Sequence, residues 1–137
     1  MPPVTALPTI SGFVLGALVG AVATAAGSYF VFWRRQRAAT RRLRVALAHE
    51  LRSLDYVDDL VESGKYEGVT TAVDPPVVYE ANAGDLGHLS EDEVAALVDF
   101  YASLYWLRNL EDPEDKKERI DDVVAKRQAA LDAVENA

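Results

Sequence analysis

The residues that could carry chemistry in this sequence are two histidines, many carboxylates and one aromatic cluster. His49-Glu50 begins like the zinc-protease motif His-Glu-x-x-His, but Ser53 stands where the second histidine is required. His88 follows Gly-Asp-Leu-Gly and has no second His or Cys nearby. The chain has no cysteine, which excludes disulfides, thiolate metal sites and Cys nucleophiles. We therefore expect no catalytic residue, no metal, no cofactor and no enzymatic activity.

The densest aromatic cluster lies near the middle of the C-terminal third: Phe100, Tyr101, Tyr105 and Trp106. Aromatic side chains interleaved with basic residues could stack on nucleic-acid bases, but Asp99 and Glu111 flank this cluster and only Arg108 is near. We expect these rings to pack in a core, with contact to a partner protein as the alternative. Nucleic acid is not an expected partner.

These residues must be positioned by a chain that begins with a long apolar segment. Residues 10–33 contain no charged side chain. A helix of this length is roughly 36 Å long, enough to cross a hydrocarbon core of ~30 Å with some tilt. We predict a transmembrane helix over 10–33, preceded by an irregular lead over 1–9. A secretory signal peptide is the alternative, since Ala23-Thr24-Ala25 resembles a cleavage site, but no basic region precedes the segment.

Small residues recur every fourth position along this segment: Gly12, Gly16, Gly20 and Thr24. This spacing leaves a flat face that another transmembrane helix can approach closely. We predict a helix–helix contact there, through self-association or a partner membrane protein. The alternative is that Gly and Ala are simply common in membrane helices.

Aromatic and basic residues follow at the end of the apolar segment: Trp33, Arg34, Arg35, Arg37, Arg41, Arg42 and Arg44. Interfacial aromatic residues and cytoplasmic arginines are typical of single-pass proteins. This asymmetry predicts a cell-membrane protein with its N-terminus outside and its C-terminus in the cytoplasm. The arginines are also expected to contact lipid headgroups.

Most of the chain after the apolar segment is predicted to be helical. Leu43, Leu47, Leu51 and Leu54 form a narrow apolar stripe, so we predict an uninterrupted stalk helix over 34–63 that pairs in coiled-coil fashion. A left-handed cap at Gly64 ends it.

A connector is predicted over 64–89, with Val69–Val73 as extended loop and a helical turn after Pro76. A helical hairpin follows over 90–137. Ser90 and Glu93 form a capping box, and Asp112-Pro113 separates the two helices. The predicted fold class is all-α: a transmembrane helix continuing into a cytosolic stalk with a short antiparallel helical bundle.

The charges are strongly asymmetric. Residues 34–52 hold seven Arg and one Glu, whereas residues 53–137 hold seven basic and twenty-one acidic residues, for a net charge of −8 overall. The acidic part would repel nucleic acid and headgroups alike. An acidic surface with few Lys is typical of proteins from a salt-rich cytoplasm, so we expect a halophilic source.

Several segments of residues 40–110 resemble a loose group of small prokaryotic single-pass membrane proteins. The resemblance is carried by Glu50-Leu51-Arg52-Ser53-Leu54, Tyr79-Glu80, Gly84–Ser90 and Phe100–Leu104. It departs from the group where Asn is usual after the glutamate. The resemblance implies an architecture and no activity. We expect a membrane-anchored interaction or assembly module; the alternatives are an accessory or regulatory subunit of a membrane complex, a small viral-type lytic or pore-forming protein, and an enzyme acting at the bilayer surface.

Overall fold

A computed structural model describes residues 6–64 and 75–137. Within these ranges the protein is helical and contains no strand, which confirms the predicted all-α class. The helices are α1 (Ala6–Ser53), α2 (Tyr56–Glu62), α3 (Val77–Ala81), α4 (Glu91–Asn109) and α5 (Pro113–Glu135), with a 3₁₀ helix over Ala83–His88 between α3 and α4. The predicted extended loop Val69–Val73 lies outside the described residues.

The chain divides into two units, Met1–Ala39 and Thr40–Ala137. In the first unit, all side chains from Ser11 to Ala39 are exposed, including many large apolar ones. The apolar part of α1 is long enough and apolar enough to cross a membrane, and among the described residues it is the one segment of that kind. The boundary between the units lies six residues beyond the predicted end of the apolar segment. Leu43, shortly after it, is the first buried residue from Ser11 onward.

The predicted stalk helix is interrupted at Leu54 and Asp55. The amide of Leu54 donates to the Leu51 carbonyl at 3.3 Å, and the amide of Asp55 donates to the Arg52 carbonyl at 3.1 Å, so both bonds span three residues. Such bonds tighten the end of a helix. The Leu51 carbonyl also accepts a bond of 3.0 Å from the Arg127 guanidinium. That long-range contact explains why a continuous heptad pattern does not give a continuous helix here.

The helix boundaries beyond this turn follow their predicted caps. Gly64 has φ of 69°, which confirms the left-handed cap after α2. Ser90 and Glu93 form both halves of a capping box at the start of α4, since each side chain bonds the other residue's backbone amide. Asp112 accepts a bond from the Glu114 amide, and Pro113 occupies the first helical position of α5.

One hydrophobic core holds the second unit together. Its buried apolar residues come from α1, α2, the 3₁₀ helix, α4 and α5: Leu43, Leu47, Ala48, Leu51, Leu54, Val57, Leu86, Leu89, Leu97, Phe100, Tyr101, Leu104, Leu107, Ile120, Val123, Ala130 and Val134. The stripe predicted to need a partner is therefore covered within the same chain. No buried side-chain polar atom of the described residues lacks a hydrogen-bond partner.

The contacts between helices give their directions: α5 is antiparallel to α4, as expected for the hairpin, whereas α1 and α4 are not antiparallel. Arg44 contacts Glu93 and Glu50 contacts Tyr101, so α1 and α4 run in the same direction. Lys126 contacts both Ser103 and Asp99, and Arg119 lies over the Trp106 ring, so α5 runs opposite to α4. Parallel packing of two helices needs a connection that returns the chain to the starting end of the first helix. The described part of this connection contacts Glu50 through α3 and ends where Glu93, at the start of α4, contacts Arg44.

Candidate functional site

The predicted helix–helix contact residues form an open face on α1. A Cβ atom added at Gly12, Gly16 or Gly20 would meet no other atom of the described chain within 4 Å. The Thr24 hydroxyl donates to the Gly20 carbonyl at 2.9 Å, so its polar group is satisfied inside the helix. A shallow groove continues this face toward Arg35. The face is free to accept a neighbouring helix or lipid.

The aromatic and basic residues at the end of the apolar segment contact one another. The centroid of the Phe30 ring lies 6.4 Å from that of Trp33, and the Arg37 guanidinium carbon lies 3.7 Å from the Trp33 ring centroid. A cation at this distance from a ring face makes a cation–π interaction. Trp33, Arg34, Arg35, Arg37, Arg41 and Arg42 are all exposed.

Arg44 differs from the other arginines that were predicted to face the membrane. Its Nε and Nη2 atoms donate to the two Glu93 oxygens at 2.7 and 2.9 Å, and only 2% of the Glu93 side chain is exposed. Burial would raise the pKa of the Glu93 carboxyl, but the bonds from Arg44 and Ser90 outweigh burial and hold that pKa below its ordinary value. Arg44 therefore joins α1 to the start of α4 and is not part of the exposed arginine group.

The Glu50 carboxylate accepts three hydrogen bonds, as the Glu93 carboxylate does. Its Oε2 atom accepts from the Val78 amide at 2.6 Å, and its Oε1 atom accepts from the Tyr79 amide at 3.0 Å and from the Tyr101 hydroxyl at 2.6 Å. Amides at the start of a helix lack partners within that helix. The Glu50 carboxylate supplies those partners for α3 and thereby fixes the connector against α1.

The predicted aromatic cluster separates into three environments. Phe100 and Tyr101 are fully buried, and the Tyr101 ring stacks on Tyr79 with centroids 3.8 Å apart. Burial and the bond to Glu50 raise the pKa of Tyr101. Tyr105 is half-buried and donates to Glu80 of α3; burial and this bond raise its pKa to about 12. These tyrosines fasten the connector to α4.

Trp106 is the member of the cluster that faces outward, with 58% of its surface exposed. The Arg119 guanidinium carbon lies 4.6 Å from its ring centroid. Beside this pair is a small cavity of about 110 Å³, lined also by Ser103, Asp122 and Lys126. The Lys126 ammonium donates to the Ser103 hydroxyl and lies 3.2 Å from Asp99 and 3.0 Å from Asp122. The pKa of Lys126 is raised, and its bond to Asp122 is the largest cause. The cavity is too small for a drug-sized ligand.

A second ion pair, between Arg127 and Asp58, lies at the other end of the unit. Arg127 is 5% exposed, and its guanidinium donates to both oxygens of Asp58 as well as to the Leu51 carbonyl. Nearby, Arg52 of α1 pairs with Glu135 of α5. The pairing of Arg127 with Asp58 was not predicted from the sequence.

Sequence reasoning missed Glu50 and Glu93 as organising residues, although a positional signal was present. Glu50 lies seven residues after Leu43 and Glu93 lies seven residues before Phe100, so each shares a helix face with a core residue. An acid at that position is either paired or destabilising. Among the described residues, no three His, Asp or Glu side chains are grouped to hold a metal, and His49 and His88 are both exposed.

These contacts tie helices together and contain no nucleophile with a neighbouring general base. Comparison with known proteins adds no family. No protein-family model, no curated protein and no solved structure matches the chain.

Proposed function

We propose that this protein is a non-enzymatic, single-pass membrane-anchored interaction or assembly module. The observation that carries the proposal is the apolar part of α1. Phe13, Leu15 and Phe32 expose 78%, 67% and 63% of their surfaces, with similarly exposed apolar residues between them. Each square ångström of apolar surface removed from water contributes roughly 25 cal/mol. A charge-free helix with this much exposed apolar surface is therefore expected to lie in lipid.

The proposed orientation has the N-terminus outside and the C-terminus in the cytoplasm. The exposed arginines all follow the apolar segment, and positively charged flanks are retained on the cytoplasmic side. The second unit, Thr40–Ala137, would then be cytoplasmic. Its core and its buried ion pairs are complete within one chain, which supports a folded domain that presents its surface to a partner.

An accessory subunit of a larger membrane complex is the second candidate, and the glycine face of α1 favours it. An approaching helix would meet no side chain at Gly12, Gly16 or Gly20. In lipid, helices associate through close packing of this kind because there is no hydrophobic drive between them. The same face also serves self-association. The mass of the complex purified in gentle detergent distinguishes a homo-oligomer from a hetero-complex.

The absence of cysteine allows a direct test of anchoring and orientation. Two single-cysteine variants, Pro3→Cys and Ala137→Cys, are expressed in cells and treated with a membrane-impermeant maleimide. We expect Pro3→Cys to be labelled in intact cells and Ala137→Cys only after permeabilisation. The unaltered chain, which cannot react, gives the background. The reverse labelling would overturn the orientation, and release of the protein by alkaline carbonate would overturn anchoring.

A further inference from the structure

Three arginines near the end of the apolar segment have no acidic partner among the residues that the structure describes. Arg34, Arg35 and Arg37 are exposed, and none of them forms an ion pair with any residue of 6–64 or 75–137. By contrast, Arg44 and Arg127 each donate to both oxygens of a carboxylate. Within the described residues, Arg34, Arg35 and Arg37 share this lack of an acidic partner with the exposed Arg41 and Arg42.

The sequence explains why these arginines have no acidic residue near them on α1. The first acidic residue of the chain is Glu50, thirteen positions beyond Arg37. Neighbouring like charges on a helix repel each other, and Arg34 and Arg37 are three residues apart on the same side. An anion bound between them would relieve that repulsion.

Two aromatic rings, Phe30 and Trp33, lie on one side of α1 next to these arginines. The Arg37 guanidinium lies on the face of the Trp33 ring, and Phe30 lies next to Trp33. A guanidinium over an aromatic ring can use its face for that contact and keep the N–H groups at its edge for a phosphate. Phe30, Trp33, Arg34 and Arg37 follow the three- and four-residue spacing of a single helix face, whereas Arg35 is about 160° around the axis from Arg37.

We propose that this face binds an anionic phospholipid, with the phosphate held by Arg34 and Arg37 and an acyl chain lying against Phe30 and Trp33. The inference rests on the proposed membrane anchoring and adds the class of lipid. Two exposed guanidiniums without an acidic partner among the described residues favour a headgroup with a net negative charge. A zwitterionic headgroup carries an ammonium that offsets the attraction of its phosphate.

The test uses the full chain reconstituted into bilayers of phosphatidylcholine and phosphatidylglycerol in equal amounts. The protein is then released in mild detergent, and its bound lipids are identified by native mass spectrometry. We expect phosphatidylglycerol to be enriched over phosphatidylcholine by roughly fivefold or more. Equal retention of the two lipids by the unaltered chain would overturn the proposal.

Matched variants separate a site on this face from a general effect of positive charge. Arg37→Gln and Arg35→Gln each remove one charge at nearly the same depth, and only Arg37 stacks on Trp33. We expect Arg37→Gln to abolish most of the enrichment and Arg35→Gln to retain most of it. Trp33→Leu, which keeps every charge, is expected to reduce the enrichment as well. Equal losses in the two arginine variants would contradict a site on the Trp33 face.

Failure of the proposed membrane anchoring would give a different result from failure of the lipid site. A protein that does not enter the bilayers, measured by flotation before any lipid is identified, would overturn the anchoring and this inference with it. A protein that floats with the bilayers but shows no preference for phosphatidylglycerol would overturn the lipid site alone.

Discussion

The Tyr101 hydroxyl donates a 2.6 Å hydrogen bond to the Glu50 carboxylate, and this bond connects α4 to α1. The same carboxylate accepts the Val78 and Tyr79 amides at the start of α3. Tyr79 in turn stacks on the Tyr101 ring. One acidic side chain thus holds together the stalk end of α1, the connector and α4, which are far apart in sequence.

Removal of the Tyr101 hydroxyl should destabilise the second unit without disturbing its packing. Tyr101→Phe keeps the ring that stacks on Tyr79 and deletes only the donor to Glu50. Because a hydrogen bond to a charged group contributes more than a neutral one, we expect a loss of about 2 kcal/mol. Chemical unfolding of a fragment spanning residues 40–137 measures it. Tyr105→Phe, which removes a bond to the exposed Glu80, is the control and should cost less.

The Arg44–Glu93 pair should make the fold sensitive to acid. Burial opposes ionisation of Glu93, but its bonds from Arg44 and Ser90 lower the pKa below the ordinary value of 4.5. A lowered folded-state pKa contributes stability above the unfolded-state pKa, and this stability is lost as pH falls through the folded-state value. We therefore expect the melting temperature to fall as the pH is lowered below about 4.5.

Two variants isolate the contribution of Glu93 from that of the other acids. Glu93→Gln should be destabilised at pH 7 by about 3 kcal/mol, because it leaves Arg44 without its charge partner, and should show a shallower decline in acid. Glu91→Gln, a change at an exposed acid two residues before Glu93, should keep the full decline. Equal acid sensitivity of the unaltered chain and Glu93→Gln would show that other groups cause it.

The glycine face of α1 should control association in the membrane. Gly16→Ile adds a branched side chain where the chain itself leaves open space, so the substitution does not clash within one copy. In an association assay with the membrane segment alone in a bilayer, we expect Gly16→Ile to lose dimer formation and Leu18→Ile to retain it. If both associate like the native segment, the glycines are not a contact face and assembly must depend on the second unit.

Salt should stabilise the acidic second unit. Residues 53–137 carry fourteen more acidic than basic side chains, so repulsion among exposed carboxylates is strong at low ionic strength. Raising salt from ~10 mM to ~1 M shortens the Debye length from about 30 Å to 3 Å. We expect the melting temperature of the 40–137 fragment to rise over this range. A constant melting temperature would remove the repulsion and, with it, the reason to expect a halophilic source.

The features of this protein that can be predicted from its sequence are local. The apolar segment of α1, the arginines after it, the capping box of Ser90 and Glu93, and the start of α5 at Pro113 all appear where the residues predict them. Each depends on hydropathy over a short window or on a side chain that bonds backbone a few residues away. Such interactions are readable because both partners are neighbours in the chain.

Tertiary structure alone decided the direction of the helices and the roles of the charged residues. The parallel course of α1 and α4 depends on the crossover and on the bonds that Glu50 and Glu93 receive. The turn after Ser53 depends on Arg127, which approaches Leu51 from seventy-six residues away. Arg44 has the same residue type and spacing as its exposed neighbours, and only the proximity of Glu93 distinguishes it. Long-range pairing of this kind depends on which surfaces meet, and a sequence pattern specifies the surfaces without specifying the pair.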